Sequence, residues 1–321
     1  MTGELVIIIV NWNGGELLQN CLNSIAKFPP SMGYEVVVVD NASTDGSREW
    51  LDAHTENLRL IKSDANLGFG RANNLAFAET DAPFIFLINS DAEIREGTID
   101  ALVATLKSDP KIGVVGPRLH NPDGTLQASV WKNPTTPFET LANAFRFYKL
   151  LPKRQRADLL LGYHWDHSHR RTVSLLSGAA LMLRREVVET VGGFEERFHM
   201  YGEDTEWCLR IVRGGWQMIF EPQAIVVHHS GASATKRWTD LEKRREEYLS
   251  FFRFQRLALS RRLMIGNLLS GWLVSSAQLG WRFILRQPRE EPRMVAKLYG
   301  NELKQALLTR KYKEQDDPQP I

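Results

Sequence analysis

The N-terminal third of the chain alternates two hydrophobic periods. Leu5–Val10, Glu35–Val39, Leu58–Lys62, Phe84–Ile88 and Ile112–Val115 are short, apolar and mostly β-branched, the pattern of strands covered on both faces. Helical spacing fills the gaps. Leu17, Leu18, Cys21, Leu22 and Ile25 share one face, Ala72, Leu75, Ala76 and Glu79 begin a second, and Ile99, Leu102, Val103 and Leu106 make a third. Such alternation predicts an α/β fold with a mostly parallel central sheet and helices on both faces. Asn121-Pro122-Asp123-Gly124 is a turn signal. From about Thr135 to Thr172 periodicity is lost while Pro, Arg and His accumulate, which reads as a variable insertion near the active site. Order returns at Leu175–Leu183, followed by a helix from near Arg185 and another from about Glu203 to Arg213. Trp216–Phe220 and Ala224–Val227 read as two short strands. From about Trp238 the chain is helical and basic, and Asp316–Ile321 is a polar tail expected to fray. No internal repeat is evident.

With 321 residues, 43% of them hydrophobic, the chain can build one large domain plus a substantial appendage, or two modest domains. A net charge of +2 gives no footprint for bulk nucleic-acid binding. Two distant cysteines, Cys21 and Cys208, fit a reducing compartment rather than a disulfide scaffold. Leu5–Val10 is too short for a secretory core and acidic Glu4 precedes it, so the catalytic part is expected in the cytoplasm.

Candidate chemistry follows from position. Ligands of a parallel α/β sheet bind outside the carboxyl ends of its strands. Four expected strands lead into polar residues at that edge: Asn11-Trp12-Asn13, Asp40-Asn41-Ala42-Ser43, Asp64-Ala65-Asn66 and Asn89-Ser90-Asp91. One such ending is ordinary turn chemistry; four on one rim point to a polar pocket. The Gly-x-Gly-x-x-Gly dinucleotide turn is absent after the first strand, and Gly68-Phe69-Gly70 continues to Asn73 instead of Gly. The phosphate-loop pattern is absent too, so an oxidoreductase is disfavoured.

A carboxylate at a strand end suits the imide edge of a pyrimidine, because it accepts the ring N–H. Asp40 is the candidate, with Asn11, Asn13 and Asn73 nearby. Asp91 offers a hard oxygen ligand for a divalent cation bridging a diphosphate. His228 or His229, after the strand Ala224–Val227, is the candidate second ligand. Glu203-Asp204 opens a helix, where acidic residues ordinarily complement the dipole. In the functional reading, one of them is the base that takes a proton from an acceptor hydroxyl.

The ordered set of motifs resembles the family 2 glycosyltransferases with the GT-A fold. It comprises Val10-Asn11-Trp12-Asn13-Gly14, Val38-Val39-Asp40-Asn41-Ala42-Ser43-Thr44-Asp45-Gly46-Ser47, Asn66-Leu67-Gly68-Phe69-Gly70-Arg71-Ala72-Asn73-Asn74, Leu87-Ile88-Asn89-Ser90-Asp91, Ser177-Gly178-Ala179, Gly192-Gly193-Phe194 and Gly202-Glu203-Asp204-Thr205-Glu206-Trp207-Cys208-Leu209-Arg210. The match runs from about Leu5 to Ser233. Gly116-Pro117-Arg118-Leu119 with Asn121–Gln127 resembles the rhamnosyltransferase-like branch. The resemblance implies that Asp40 binds the base, Asp91 is the metal-binding acid of the Asp-x-Asp motif, Asp204 is the catalytic base and His228 is the late metal ligand. It implies a divalent metal, Mg or Mn, and a dTDP- or UDP-sugar donor. Gly178 would lie under the donor sugar, and Asn11, Asn13, Asn66, Arg71, Asn73, Asn89 and Ser90 complete the expected donor-binding set. Asn89 departs from the motif, since its first acid is replaced. The expected organisation is a GT-A catalytic domain at 1–235, with the nucleotide sugar at about 1–118 and the acceptor side at about 119–235. A helical C-terminal region follows at 236–321.

Leu263–Trp281 lacks charged residues, but Asn267, Ser270, Ser275, Ser276 and Gln278 make it a poor spanning helix. Trp272 and Trp281, flanked by Arg261, Arg262, Arg282 and Arg286, suit an interfacial helix; packing on the catalytic domain is the plainer reading. Surface attachment would suit a glycan or lipid-linked acceptor and a peripheral position at the inner face of the cell membrane. Two rivals remain. A non-catalytic nucleotide-sugar-binding or scaffold protein would be free to lose Asp91, Asp204 and His228. A nucleotidyltransferase would need a basic, glycine-rich loop after the first strand, and Asn11–Glu16 carries no basic residue.

Overall fold

The structure is a computed structural model describing residues 3–130, 136–198, 200–229 and 239–309. Thr135, Ser233, Trp238 and the tail at Asp316–Ile321 lie outside the described residues. The chain divides into two compact units, one within Met1–Lys132 and Ala157–Arg237, the other within Asn133–Arg156 and Trp238–Ile321.

The first unit is built on a 10-stranded sheet. Its strands are β1 (Leu5–Asn11), β2 (Tyr34–Asn41), β3 (Arg59–Ser63), β4 (Phe84–Asn89), β5 (Ala92–Ile94), β6 (Ile112–His120), β7 (Leu126–Gln127), β8 (Arg171–Val173), β9 (Ala180–Arg184) and β10 (Gln217–His228). The order is β3-β2-β1-β4-β9-β6-β10-β5, with β7 on β6 and β8 on β10. Pairing is parallel from β3 through β4 and between β6 and β10. The sheet is mixed because β9 runs antiparallel to both β4 and β6.

Side-chain alternation sorts the apolar strand residues into two cores. Leu5, Ile7 and Ile9 join Leu18, Cys21 and Ile25 of α1 (Gly15–Lys27) and Leu102 and Leu106 of α4 (Thr98–Lys107). Val6 and Ile8 face the other way, onto Ala72 and Ala76 of α3 (Phe69–Ala78) and Trp207 and Ile211 of α8 (Glu203–Arg213). Truncating a strand residue as buried as Ile8 to Ala costs roughly 2–5 kcal/mol. Shorter helices are α2 (Ser47–Asp52), α5 (Pro137–Ala144), α6 (Lys153–Leu160) and α7 (Arg185–Val191).

Three sequence expectations are corrected. The two strands at Trp216–Phe220 and Ala224–Val227 are one, β10, with a register shift between Glu221 and Ile225 around Pro222. A proline cannot donate to the ladder, so the pairing steps around it. The aperiodic stretch holds α5, α6 and β8, each too short to display a period. Strand β6 runs beyond Val115 to His120, through Gly116 and Pro117.

The second unit contains α5, α9 (Asp240–Ala258), α10 (Arg261–Ile284) and α11 (Glu290–Leu308). Thr239 and Glu242 form a reciprocal capping box at the start of α9, and the Ser260 side chain caps α10. Phe252, Met264, Leu268, Val295, Tyr299 and Ala306 make its core. Among the described residues no helix is long and apolar enough to cross a membrane.

Candidate active site

The carboxyl ends of β1, β2 and β4 meet side by side, and their polar residues interlock. Asn11 is fully buried. Its Nδ2 donates to Asp40 Oδ1 at 3.1 Å and to the hydroxyls of Ser43 and Ser47 at 3.0 Å each, while Oδ1 accepts from Gly14 N at 3.1 Å. The Asp40 carboxylate is also buried and accepts from Arg48 Nε at 2.6 Å and Ser43 N at 3.3 Å. Asn13 Oδ1 accepts from Thr44 N at 2.7 Å, joining the loops after β1 and β2. Asn41 reaches the loop after β3, donating to Asn66 Oδ1 at 3.1 Å and accepting from Leu67 N at 2.8 Å. Asn13 (φ 54°) and Ala42 (φ 63°) both hold left-handed backbones. Asn enters this region readily, whereas it is uncommon for a residue such as Ala42.

A second group lies where β4 hands over to β5 and β10 ends. His228 Nε2 sits 3.2 Å from Asp91 Oδ1 and 3.3 Å from Asn89 Nδ2. Its Nδ1 is 2.7 Å from Gln127 Oε1. Gln127 in turn donates through Nε2 to the His228 carbonyl at 3.1 Å and to Asn121 Oδ1 at 2.8 Å. Because Oε1 can only accept, Nδ1 carries a proton; in the neutral ring Nε2 then keeps its lone pair, turned towards the Asp91 carboxylate. Two acceptors converging in this way fit a shared cation. Among the described residues no third His, Cys, Asp or Glu joins them, so a metal there would draw its remaining ligands from substrate and water. His229 is turned elsewhere, 3.1 Å from Glu93 Oε1. Ser90 is buried at the turn between Asn89 and Asp91.

The third element is Asp204 at the head of α8. Its Oδ2 accepts from Gly178 N at 3.1 Å, and its Oδ1 from Thr205 N at 2.7 Å. Burial pushes the carboxyl above its ordinary range, against these backbone bonds, which favour the ionised form. A Cβ at Gly178 would stand 3.3 Å from Asp204 Cβ, a tight contact that the neighbour would have to relieve by a few tenths of an ångström. Tyr201 and Gly202, at φ 68° and 84°, turn the chain sharply into α8. Behind Asp204, Trp207 Nε1 donates to the Gly192 carbonyl at 2.8 Å. Arg210 pairs with Glu206 and donates to the carbonyls of Val191 and Gly193. Phe194 packs on Trp207 at a centroid distance of 4.2 Å.

These parts are linked. Asp204 holds the Gly178 amide, the next residue's carbonyl (Ala179) accepts from Asn89 N at 2.9 Å, and the Asn89 side chain meets His228. Two of the residues named from sequence fall outside these clusters. Asn73 is buried and donates to the Phe69 carbonyl one helical turn back, at 2.9 Å. Arg71 donates to the Glu196 carbonyl at 3.2 Å. Arg48 has no part in the sequence expectations, and Gln127 enters them only as the end of the Asn121–Gln127 motif. Gln127 reaches His228 only through the β6–β7 pairing.

This sheet is that of the GT-A class of sugar-transferring enzymes. The sequence profile of Glycosyl transferase family 2 matches residues 6–192, and the chain belongs to that family. It is 31% identical over 246 residues to N-acetylglucosaminyl-diphospho-decaprenol L-rhamnosyltransferase of Mycobacterium tuberculosis, covering 73% of this chain and 78% of the relative. It is 29% identical over 217 residues to a low-salt glycan biosynthesis hexosyltransferase of Haloferax volcanii, covering 66% of this chain and 63% of that one. In fold it is similar to the mannosyltransferase PcManGT from Pyrobaculum calidifontis in complex with GDP-Man and Mn²⁺. There the TM-score is 0.56 at 20% identity, over 98% of this chain and 83% of that chain. The chain is therefore a glycosyltransferase that uses a nucleotide-sugar donor.

Proposed function

We propose that this glycosyltransferase moves L-rhamnose from dTDP-rhamnose to a hydroxyl of a lipid-linked glycan in cell-surface polysaccharide synthesis, inverting the anomeric carbon. The observation that carries the chemistry is the Asp204 carboxylate, braced at the head of α8 and tied through Gly178 and Ala179 to Asn89, beside His228 and Asp91. The sugar and acceptor classes are supported by the 31% identical rhamnosyltransferase.

In this reading residues of about 1–118 bind the donor and those of about 119–235 face the acceptor. Asp40 accepts the ring N–H of the pyrimidine, and Arg48, Asn11 and Ser43 hold it in place for that bond. Asp91 and His228 would hold a divalent cation, which supplies charge stabilisation to the departing diphosphate. Asp204 takes the proton from the acceptor hydroxyl as the oxygen bonds to the anomeric carbon and the nucleoside diphosphate leaves from the opposite face. A carboxyl pushed up by burial is a stronger base than one in water, and the Gly178 and Thr205 amides fix its orientation. The test is transfer to a lipid-diphosphate-linked N-acetylglucosamine acceptor across a donor panel. Rhamnosyl transfer from dTDP-rhamnose is expected, whereas a strong preference for a UDP-hexose would reject the rhamnose assignment.

A further inference from the structure

The second unit carries a surface that none of the clusters described above includes. Helix α10 buries Met264, Asn267, Leu268, Ser270, Gly271 and Ser275. Gly271 lies so close to Tyr299 of α11 that a Cβ would stand 2.2 Å from its ring. The other side of α10 is apolar and open. Leu273 is 50% exposed, Trp281 61%, Phe283 66% and Ile284 70%. No charged residue occurs from Leu263 to Trp281, and soluble monomers rarely leave so continuous an apolar stripe uncovered.

Basic side chains gather where this stripe ends. At the elbow between α10 and α11 a cleft of ≈ 1020 Å³ is lined by Leu279, Phe283, Arg286, Arg289 and Arg293, with Glu290 as its one acidic residue. The Arg289 guanidinium lies 5.0 Å from the Phe283 ring centre. Among the described residues no carboxylate pairs with Arg286, Arg289 or Arg293. An isologous dimer through this face would set arginines against arginines. An anionic bilayer complements both halves of the surface, since its headgroups carry phosphate and its acyl region receives aromatic and aliphatic side chains. With no helix among the described residues able to cross, the contact is placed in the plane of the interface.

We infer that the α10–α11 elbow docks on an anionic phospholipid surface, inserting Trp281, Phe283 and Ile284 and seating lipid phosphate against Arg286, Arg289 and Arg293. The inference stands apart from the rhamnose assignment. It is tested by co-sedimenting the full chain with vesicles of phosphatidylcholine alone or mixed with phosphatidylglycerol. Binding is expected to the mixed vesicles and to weaken with salt. The triple variant Trp281→Ala/Phe283→Ala/Ile284→Ala, and separately Arg286→Glu/Arg289→Glu/Arg293→Glu, should each lower partitioning by about tenfold or more. Ile284→Asp serves as a single, surface-only variant. All should keep the thermal shift that a nucleoside diphosphate produces, which reports the donor site independently. Equal partitioning onto neutral vesicles, or undiminished binding of the variants, overturns the inference. So does a dimer, seen by light scattering, that the apolar substitutions dissociate, because the face then belongs to a second copy.

Discussion

Oε1 of Gln127 lies 2.7 Å from Nδ1 of His228, and the same amide's Nε2 donates back to the His228 carbonyl at 3.1 Å. This two-point grip fixes both the tautomer and the plane of the imidazole. Partners of this kind typically contribute about 10–100-fold to metal affinity. Gln127→Ala should therefore raise the Mn²⁺ or Mg²⁺ concentration needed for half-maximal activity by about that factor. Gln127→Glu, which keeps an acceptor at Nδ1, should retain much of the wild-type response. Metal-activation curves decide the matter; identical curves for wild type and Gln127→Ala would remove the orienting role.

Chelation by EDTA should stop turnover, and added Mn²⁺ or Mg²⁺ should restore it. His228→Ala and Asp91→Asn should each blunt that recovery, whereas His229→Ala, whose ring faces Glu93, should not. Undiminished turnover in EDTA would take Asp91 and His228 out of the chemistry.

Asp204→Asn should lower kcat by about 10²–10⁴-fold, the usual worth of a positioned base. Donor affinity should remain near wild type, because Asn still offers an oxygen to the Gly178 amide. Calorimetric titration with donor, beside initial rates, separates the two effects. Weakened donor binding in a variant that keeps its fold by circular dichroism would mark Asp204 as a cap instead of a base.

Burial raises the Asp204 pKa, and the sign of its stability contribution follows. A raised folded value means that the native state holds the proton more tightly than the unfolded chain. The stabilisation is full below the unfolded value and is lost as pH rises through the folded one. Asp204→Asn, which cannot ionise, should lack this dependence, so its melting temperature relative to wild type should rise as pH climbs from the ordinary carboxyl value of 3.8 towards 8. The wild-type rate should rise with pH over the same interval. A constant melting difference from pH 4 to 8 would contradict this.

His167 behaves in the opposite sense. It is buried between Trp165 and Phe220, with Nδ1 2.9 Å from the Trp165 carbonyl. Burial lowers its pKa, helped by Arg118 and opposed by the Trp165 bond. Stability is thus present above the unfolded value of 6.5 and lost as pH falls through the depressed folded value. Asn, which stays neutral and tolerates the left-handed φ of 55° at this position, should remove this acid sensitivity. Urea midpoints measured between pH 7.5 and 5 for wild type and His167→Asn test it.

Much of the first unit is legible in its residues. Leu5–Val10 reads as a strand buried on both faces because its alternate residues enter separate cores. The polar endings of β1, β2 and β4 fall on one rim because those strands are parallel neighbours. What escapes is set by long-range pairing. Gln127 sits in a two-residue strand, too short to carry a period, and meets His228 only because β7 folds back on β6. Arg48 lies on a short helix and faces Asp40 through a turn that spacing does not encode. Pro222 divides β10 in the sequence, whereas the sheet accommodates it with a shift in register. In α3, Asn73 satisfies its own helix through the Phe69 carbonyl, a local bond that competes with any outward role.

Backbone pairing places His228 opposite Ala92, and the His229 amide donates to the Asp91 carbonyl at 2.9 Å. The carboxylate and imidazole are thus gathered by main-chain ladders, not by side-chain attraction. Their spacing is settled once, when the polypeptide folds, and need not be reassembled at each catalytic cycle. In the proposed reading an arriving donor would then lose little further freedom in ordering its surroundings, leaving more of its intrinsic attraction to distinguish one sugar nucleotide from another.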